Sequence, residues 1–301
     1  MTQIIFYLIL AMTKFISLLP SSIFKNPKSW LWRILQGNMS KRKSIIAANI
    51  NHCFERKTLE WRSELIEKIW GETFFALYAN NLAWNASKAQ ISNLHIDFIN
   101  EEVLKNAINN KKGVLLLFRH SLYLELSARL LSTRYEVHGL ERPNNSLLIQ
   151  KLQSHGRLKS VKTLISNANI KQCIKILKSG DIILYGPDQD YRNKRSVVSS
   201  FFGKDCLTTT VPFTLKKLTD CEIIYFDFFR TDSGYKAIFD EFDQAYADPK
   251  DLADQINLKI ENSVMLAPEQ YLWHHRRFKS QSPEIYGDRK STRLNSSHLV
   301  I

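Results

Sequence analysis

Short apolar runs separated by stretches of helical spacing constrain this sequence more than any other feature. Val114–Phe118 reads VLLLF, Asp181–Tyr185 reads DIILY, and Glu222–Phe229 and Tyr235–Phe239 add two more such runs. Each has the length of a strand, and the first two are apolar at successive positions, as in strands covered on both faces. Helical spacing runs through 59–90 with a break at Gly71, then over Leu122–Ser132, Ser146–Gln153, Cys173–Lys178, Val211–Leu218 and Asp251–Met265. A further strand is expected over Tyr135–Leu140. Alternation of this kind predicts an α/β architecture with a mixed, largely parallel central sheet flanked by helices. In such sheets ligands gather beyond the carboxyl ends of the strands. His120 and Asp188 each come just after a predicted strand, which points to one shared cleft.

The N-terminus departs from the alternation. Ile4 to Leu19, IIFYLILAMTKFISLL, is apolar apart from Lys14 and a few small polar residues. As a helix it spans roughly 24 Å at about 1.5 Å per residue, against a hydrocarbon core about 30 Å thick. No Lys or Arg precedes the run, unlike a signal peptide, while Lys25, Lys28, Arg33, Lys41, Arg42 and Lys43 follow it. That order keeps the body of the chain cytoplasmic, and Trp30 and Trp32 suit a membrane interface. The segment reads as an N-terminal membrane-anchoring helix, inserted or lying in the interface; a buried core helix is the competing reading. The organisation expected is an anchor over 1–24, a catalytic domain over 25–288 and a polar, aperiodic, non-native tail over 289–301.

The charge balance narrows the partners. The chain of 301 residues carries a formal net charge of +13, which predicts affinity for an anionic partner. Nucleic acid would call for a recognised module or basic residues interleaved with aromatics, and neither is present. Cys53, Cys173, Cys206 and Cys221 lie far apart with no Cys-x-x-Cys pair, so they suggest neither a disulfide framework nor a zinc site. The adjacent His274 and His275 lack ligand spacing and read as structural, and no metal is expected.

The stretch Phe118–Leu126, FRHSLYLEL, places Glu125 five residues after His120. On one continuous helix the two would stand about 140° apart, at roughly 100° per residue, and would not face each other. They meet only if His120 sits in the loop before a helix, Ser121 caps that helix and Glu125 lies in its first turn. A carboxylate on one ring nitrogen then fixes the tautomer and steadies the imidazolium formed when the other nitrogen takes a proton. A surface histidine beside an N-terminal helix glutamate is the bland alternative, and spacing alone favours it.

Wider sequence context changes the weighing. His120-Ser-Leu-Tyr-Leu-Glu125, following the Val-Leu-Leu-Leu run, resembles the His-x4-Asp/Glu motif of glycerolipid acyltransferases. More specifically it resembles the late acyltransferases of lipid A biosynthesis, the lauroyl and myristoyl transferases acting on Kdo-lipid A precursors. Similar segments follow: KRKSIIAANINHCF (Lys41–Phe54), ERPNNSLLIQKLQSHGR (Glu141–Arg157), YGPDQDY (Tyr185–Tyr191), Thr208–Thr210 and MLAPEQYLWHHRRFK (Met265–Lys279). The resemblance covers about residues 40–279. Two departures, Ser121 where phenylalanine is common and Asn145-Ser146 where Asp-Asn-Pro is frequent, touch no catalytic group.

The resemblance implies a glycerolipid-acyltransferase-like fold and acyl transfer from an acyl carrier protein thioester to a hydroxyl of a Kdo-lipid A precursor. His120 is then the general base and Glu125 orients it. No cofactor is required beyond the donor thioester. Arg157 and Arg142 are candidates for substrate binding or oxyanion stabilisation, since guanidinium offers forked donors. Asp188 and Asp190 are candidates for binding acceptor hydroxyls or bracing Arg157, with turn formation as the alternative. Arg192, Lys194, Arg195 and Lys204 are phosphate-binding candidates or a solvated charge run. Arg276 and Arg277 are assigned only as ion-pair partners of Glu269. The implied partners are acyl carrier protein, the lipid A precursor and anionic inner-membrane lipid, at the cytoplasmic face of the bacterial inner membrane. Rival readings are an acyltransferase for another membrane glycolipid or aminolipid, a lipid hydrolase using the same His–Glu pair, and a catalytically dead membrane adaptor.

Overall fold

The structure is a computed structural model and describes residues 2–26, 29–37, 39–242 and 245–287. Lys28, the Trp30 side chain and the expected tail over 289–301 lie outside what is described.

Five helices come first: α1 (Thr2–Ile16), α2 (Trp30–Gly37), α3 (Ser40–Cys53), α4 (Leu59–Asn85) and α5 (Lys88–Ser92). Then β1 (Ile96–Ile99), α6 (Glu101–Asn109), β2 (Val114–Phe118), α7 (Leu124–Leu131), β3 (Val137–Glu141) and α8 (Leu147–Arg157) alternate. They are followed by β4 (Leu164–Ser166), α9 (Ile170–Lys178) and β5 (Ile182–Tyr185). Next come β6 (Ser196–Phe201), β7 (Lys204–Thr209), α10 (Val211–Thr219), β8 (Glu222–Arg230), β9 (Tyr235–Glu241) and α11 (Pro249–Leu266), with two short 3-10 turns after them.

Seven strands form one sheet in the order β1-β9-β8-β2-β5-β3-β4. Every neighbouring pair is parallel except β8 with β9, so the expected mixed, largely parallel sheet is present. Val114 to Leu117 of β2 are fully buried, which is why that run is apolar at successive positions. β6 and β7 pair outside this sheet as a hairpin, in a segment for which the sequence predicted no strand.

Helix α4 runs unbroken through Gly71. A helical glycine costs about 1 kcal/mol relative to alanine, and burial of Leu65, Ile69, Trp70, Phe74 and Ala79 in this helix outweighs it. The break comes at Ala86, where Ser87 opens α5 with a reciprocal capping box to Gln90. Trp32 is not at an interface: it is 1% exposed, with its ring 5.1 Å from Phe74 and 5.0 Å from Trp70.

Helix α1 has 15 residues, and among the described residues no helix is long and apolar enough to cross a membrane. One side of α1 joins the body of the protein. Lys14 Nζ donates to the carbonyl of Asn85 (2.7 Å), and Asn81 Nδ2 donates to the carbonyl of Thr13 (2.9 Å). The other side leaves Ile4, Tyr7, Leu8, Met12 and Phe15 exposed, at the spacing of one helical face.

Candidate active site

Strand register assembles the centre of the site. β2 and β5 lie side by side and parallel, with Leu117 opposite Tyr185. His120 and Asp188 each stand three residues past that pair, so two equal extensions leave the sheet together. The backbone N–H of His120 donates to Asp188 Oδ2 (2.9 Å), and the imidazole Nδ1 lies 2.5 Å from Asp188 Oδ1. Gly186 makes the approach possible: a Cβ there would fall 2.4 Å from His120 Cε1.

Asp188 is completely buried. Burial by itself pushes its carboxyl up, but the charge and hydrogen bonds of His120, and then the charge of His275, outweigh that and hold it well below the usual carboxylate range. An ionised carboxylate only accepts hydrogen bonds, so Nδ1 carries the proton and donates. In the neutral ring Nε2 is then the nitrogen with a free lone pair.

Glu125 does not take the place expected for it. It lies in the first turn of α7, as predicted, but its carboxylate accepts from Arg157 Nη2 (2.7 Å), Arg157 Nε (3.0 Å) and Trp84 Nε1 (2.9 Å). Among the described residues no hydrogen bond joins it to His120. The reason lies in how the turn between β2 and α7 is tied down. Leu272 N–H donates to the carbonyl of His120, Leu122 N–H to that of Gln270, and Ser121 bridges Tyr271. Those ties hold His120 beside β5, where Asp188 offers its carboxylate. Ser121 is not the helix cap either; Tyr123 holds that position, and its N–H donates to Ser121 Oγ.

A cavity of about 580 Å³ opens beside the imidazole. Leu124, Ala128, Leu140, Val161, Leu164 and Leu184 supply apolar wall, while His120, Glu125, Arg157, Asp190, Arg142 and Arg192 supply polar wall. A site of this size with apolar lining and a few converging polar groups suits a molecule with a hydrocarbon part and a charged or hydroxylated part.

The other sequence candidates divide. Arg157 lines the cavity but is engaged by two carboxylates, Glu125 and, at 3.3 Å, Glu141. Burial presses that guanidinium toward neutrality, and the two carboxylates more than compensate and raise its pKa. Asp188 braces His120 and not Arg157. Asp190 Oδ2 accepts from Ser280 (2.8 Å), while its buried Oδ1 has no hydrogen-bond partner among the described residues. Arg142 is exposed at the cavity wall. Of the four downstream cations only Arg192 lines the cavity; Lys194 and Arg195 are exposed elsewhere, and Lys204, on the hairpin, pairs with Glu55 at 2.8 Å.

The segment after α11 braces this centre from behind. The two adjacent histidines diverge: His274 Nε2 meets Thr73 Oγ1 (3.1 Å), and His275 Nε2 meets the carbonyl of Asp188 (3.0 Å). Burial drives both rings down to a pKa of about 4. Arg277 is 1% exposed and does not pair with Glu269. It donates to the carbonyls of Gln189 (3.2 Å) and Leu207 (2.5 Å), to Thr208 Oγ1 (2.8 Å) and to Asn257 Oδ1 (3.3 Å). Sequence spacing gave no hint of Trp84, or of Asp188 as the partner of His120. Equal offsets from two strand ends were the signal available for the second.

Comparison with known proteins identifies the family. The family model described as bacterial lipid A biosynthesis acyltransferase matches residues 1–280. The lipid A biosynthesis lauroyltransferase of Escherichia coli K12 is 32% identical over 248 residues, covering 81% of either chain. The palmitoleoyltransferase of the same organism is 30% identical over 247 residues, 81% of this chain and 80% of the relative. A lipid A biosynthesis acyltransferase of Haemophilus influenzae is 29% identical over 297 residues, 93% of this chain and 92% of the relative. With a family match across residues 1–280 and relatives of 30% identity or more over most of both chains, the chain belongs to the bacterial lipid A biosynthesis acyltransferases and is an acyl-transferring enzyme of that biosynthesis.

Proposed function

We propose that the enzyme moves a fatty acyl group from an acyl carrier protein thioester to a hydroxyl of a Kdo-lipid A precursor, with His120 as general base. Nε2 of His120 takes the hydroxyl proton as the oxygen attacks the thioester carbonyl. The tetrahedral intermediate then collapses, the C–S bond breaks, and the imidazolium returns its proton to the departing thiolate. Asp188 holds Nδ1–H throughout and balances the charge that forms on the ring. The observation that carries this reading is the His120–Asp188 hydrogen bond at the wall of a cavity with both apolar and cationic lining.

Glu125 acts on the ring through space, as a fixed negative charge in the same wall, and not as its hydrogen-bond partner. Arg142 and Arg192 suit the acceptor's phosphates, since neither is paired with a carboxylate among the described residues and both face the cavity. Asp190 Oδ1, buried and unpartnered, suits a sugar hydroxyl or amide donor. The exposed apolar face of α1 suits a position in the interface of an anionic cytoplasmic leaflet, with the positive net charge supporting both that surface and an acidic carrier protein.

Mass spectrometry of lipid A from a host lacking its own late acyltransferase, with and without this chain, tests the proposal. One added secondary acyl group is the expected result. Unaltered lipid A in cells that contain the folded protein would overturn it.

A further inference from the structure

A neutral donor holds a charged group of the site in a way that the reaction scheme leaves unused. Trp84, in the last turn of α4, donates Nε1–H to Glu125 Oε2 at 2.9 Å. The indole lies in a space that only a glycine leaves open, because a Cβ on Gly156 of α8 would come 2.3 Å from Trp84 Cγ. The helix end that carries the ring is itself pinned. Lys159 Nζ donates to the carbonyl of Trp84 (2.5 Å) and Lys14 Nζ to that of Asn85 (2.7 Å), two cations at the negative end of α4.

The arrangement around the carboxylate is asymmetric. Oε1 accepts the two short bonds from Arg157, whereas Oε2 has Trp84 at 2.9 Å and only a longer contact to Arg157 Nε at 3.3 Å. A carboxylate held by one guanidinium keeps its freedom to twist with that side chain. A second donor, fixed to a different helix and rigid as an indole, removes the freedom.

We propose that Trp84 is a positioning residue for Glu125: its indole N–H, seated against Gly156, fixes the carboxylate's orientation in the cavity wall. The inference rests on the acyl-transfer reading for its catalytic consequence, but the hydrogen bond can be tested without turnover.

The experiment uses the full chain in detergent micelles. Benzothienylalanine at position 84 replaces only the indole N–H with sulfur and keeps the ring's shape. Gly156→Ala keeps Trp84 but pushes its ring aside, and thermal melting monitors folding of both. The expected result is a kcat lower by roughly tenfold, the rate equivalent of one hydrogen bond to a charged group, with KM within about twofold. In parallel, the carboxyl 13C chemical shift of Glu125 at a fixed pH, assigned with Glu125→Gln, changes in the benzothienylalanine variant, because the carboxylate has lost one of its donors. An unchanged carboxyl signal overturns the proposal whatever the activity, and a changed signal with unchanged kcat overturns the positioning role. Absence of transfer in the unmodified enzyme would remove the acyl-transfer reading alone, since the carboxyl signal still reports the hydrogen bond.

Discussion

His120 and Asp188 are 68 residues apart in the chain, yet a ring nitrogen of one lies 2.5 Å from a carboxylate oxygen of the other. The parallel register of β2 on β5 brings them level, and the bare backbone of Gly186 lets the ring come close. Backbone N–H and imidazole of His120 are both held by the same carboxylate, so the group that fixes the tautomer also helps to place the ring.

Asp188→Asn should therefore behave as a tautomer defect. An amide can present N–H to Nδ1 and force the proton onto Nε2, the nitrogen needed as base. The expected loss in kcat is about a hundredfold to ten-thousandfold with the fold retained, and His120→Ala should fall at least as far. Single-turnover transfer assays with melting curves check this. A variant that keeps half the wild-type kcat would contradict it.

Acid stability offers a check independent of turnover. Asp188 is held well below the usual carboxylate range in the folded protein, so it binds its proton more readily when unfolded. Its contribution to stability is fully present above the unfolded value, about pH 3.9, and is lost as pH falls from there through the folded value. Denaturant titrations of wild type and Asp188→Asn should show a stability gap that shrinks as pH falls below about 4. A gap left unchanged by acid below that pH would mean that another group controls it.

Arg142→Ala and Arg192→Ala should act on acceptor binding and leave the chemical step in place. Exposed guanidiniums at a cavity wall contribute modestly, so each should raise KM for the phosphorylated acceptor by roughly threefold to tenfold with kcat little changed. Added salt should shrink the difference from wild type. Lys204→Ala, which removes only a pairing with Glu55 away from the cavity, should leave KM unchanged.

Arg277→Met should destabilise the protein by about 2 kcal/mol, because the carbonyls of Gln189 and Leu207 and the side chains of Thr208 and Asn257 lose a buried donor. Arg277→Lys should recover little of this, since an ammonium cannot reach the same spread of acceptors. Urea midpoints of the two variants measure it.

The double variant Leu8→Glu with Phe15→Glu places two charges on the exposed face of α1 and none in the core. Binding to vesicles containing anionic phospholipid should drop at least tenfold, each lost apolar side chain being worth about 1.5–3 kcal/mol if buried in the interface. Sedimentation with the vesicles reports this, and circular dichroism in detergent should be unchanged.

The alternation of apolar runs with helical spacing determined the layered architecture, because burial on both faces of a parallel strand leaves a pattern in the residues themselves. It also located His120 and Asp188 at the ends of strands and Glu125 in the first turn of a helix. Which carboxylate meets the imidazole was not written in the spacing. That depends on the register of β2 against β5, on the ties from Leu272 and Gln270, and on the absence of a side chain at Gly186, none of which is a local property. Glu125 illustrates the same limit from the other side: five residues from His120, it is claimed by Arg157 and Trp84, which arrive on helices distant in the chain. Local order sets what each segment becomes, whereas the partner of a buried charge is chosen by whichever segments the packed core brings within hydrogen-bond reach.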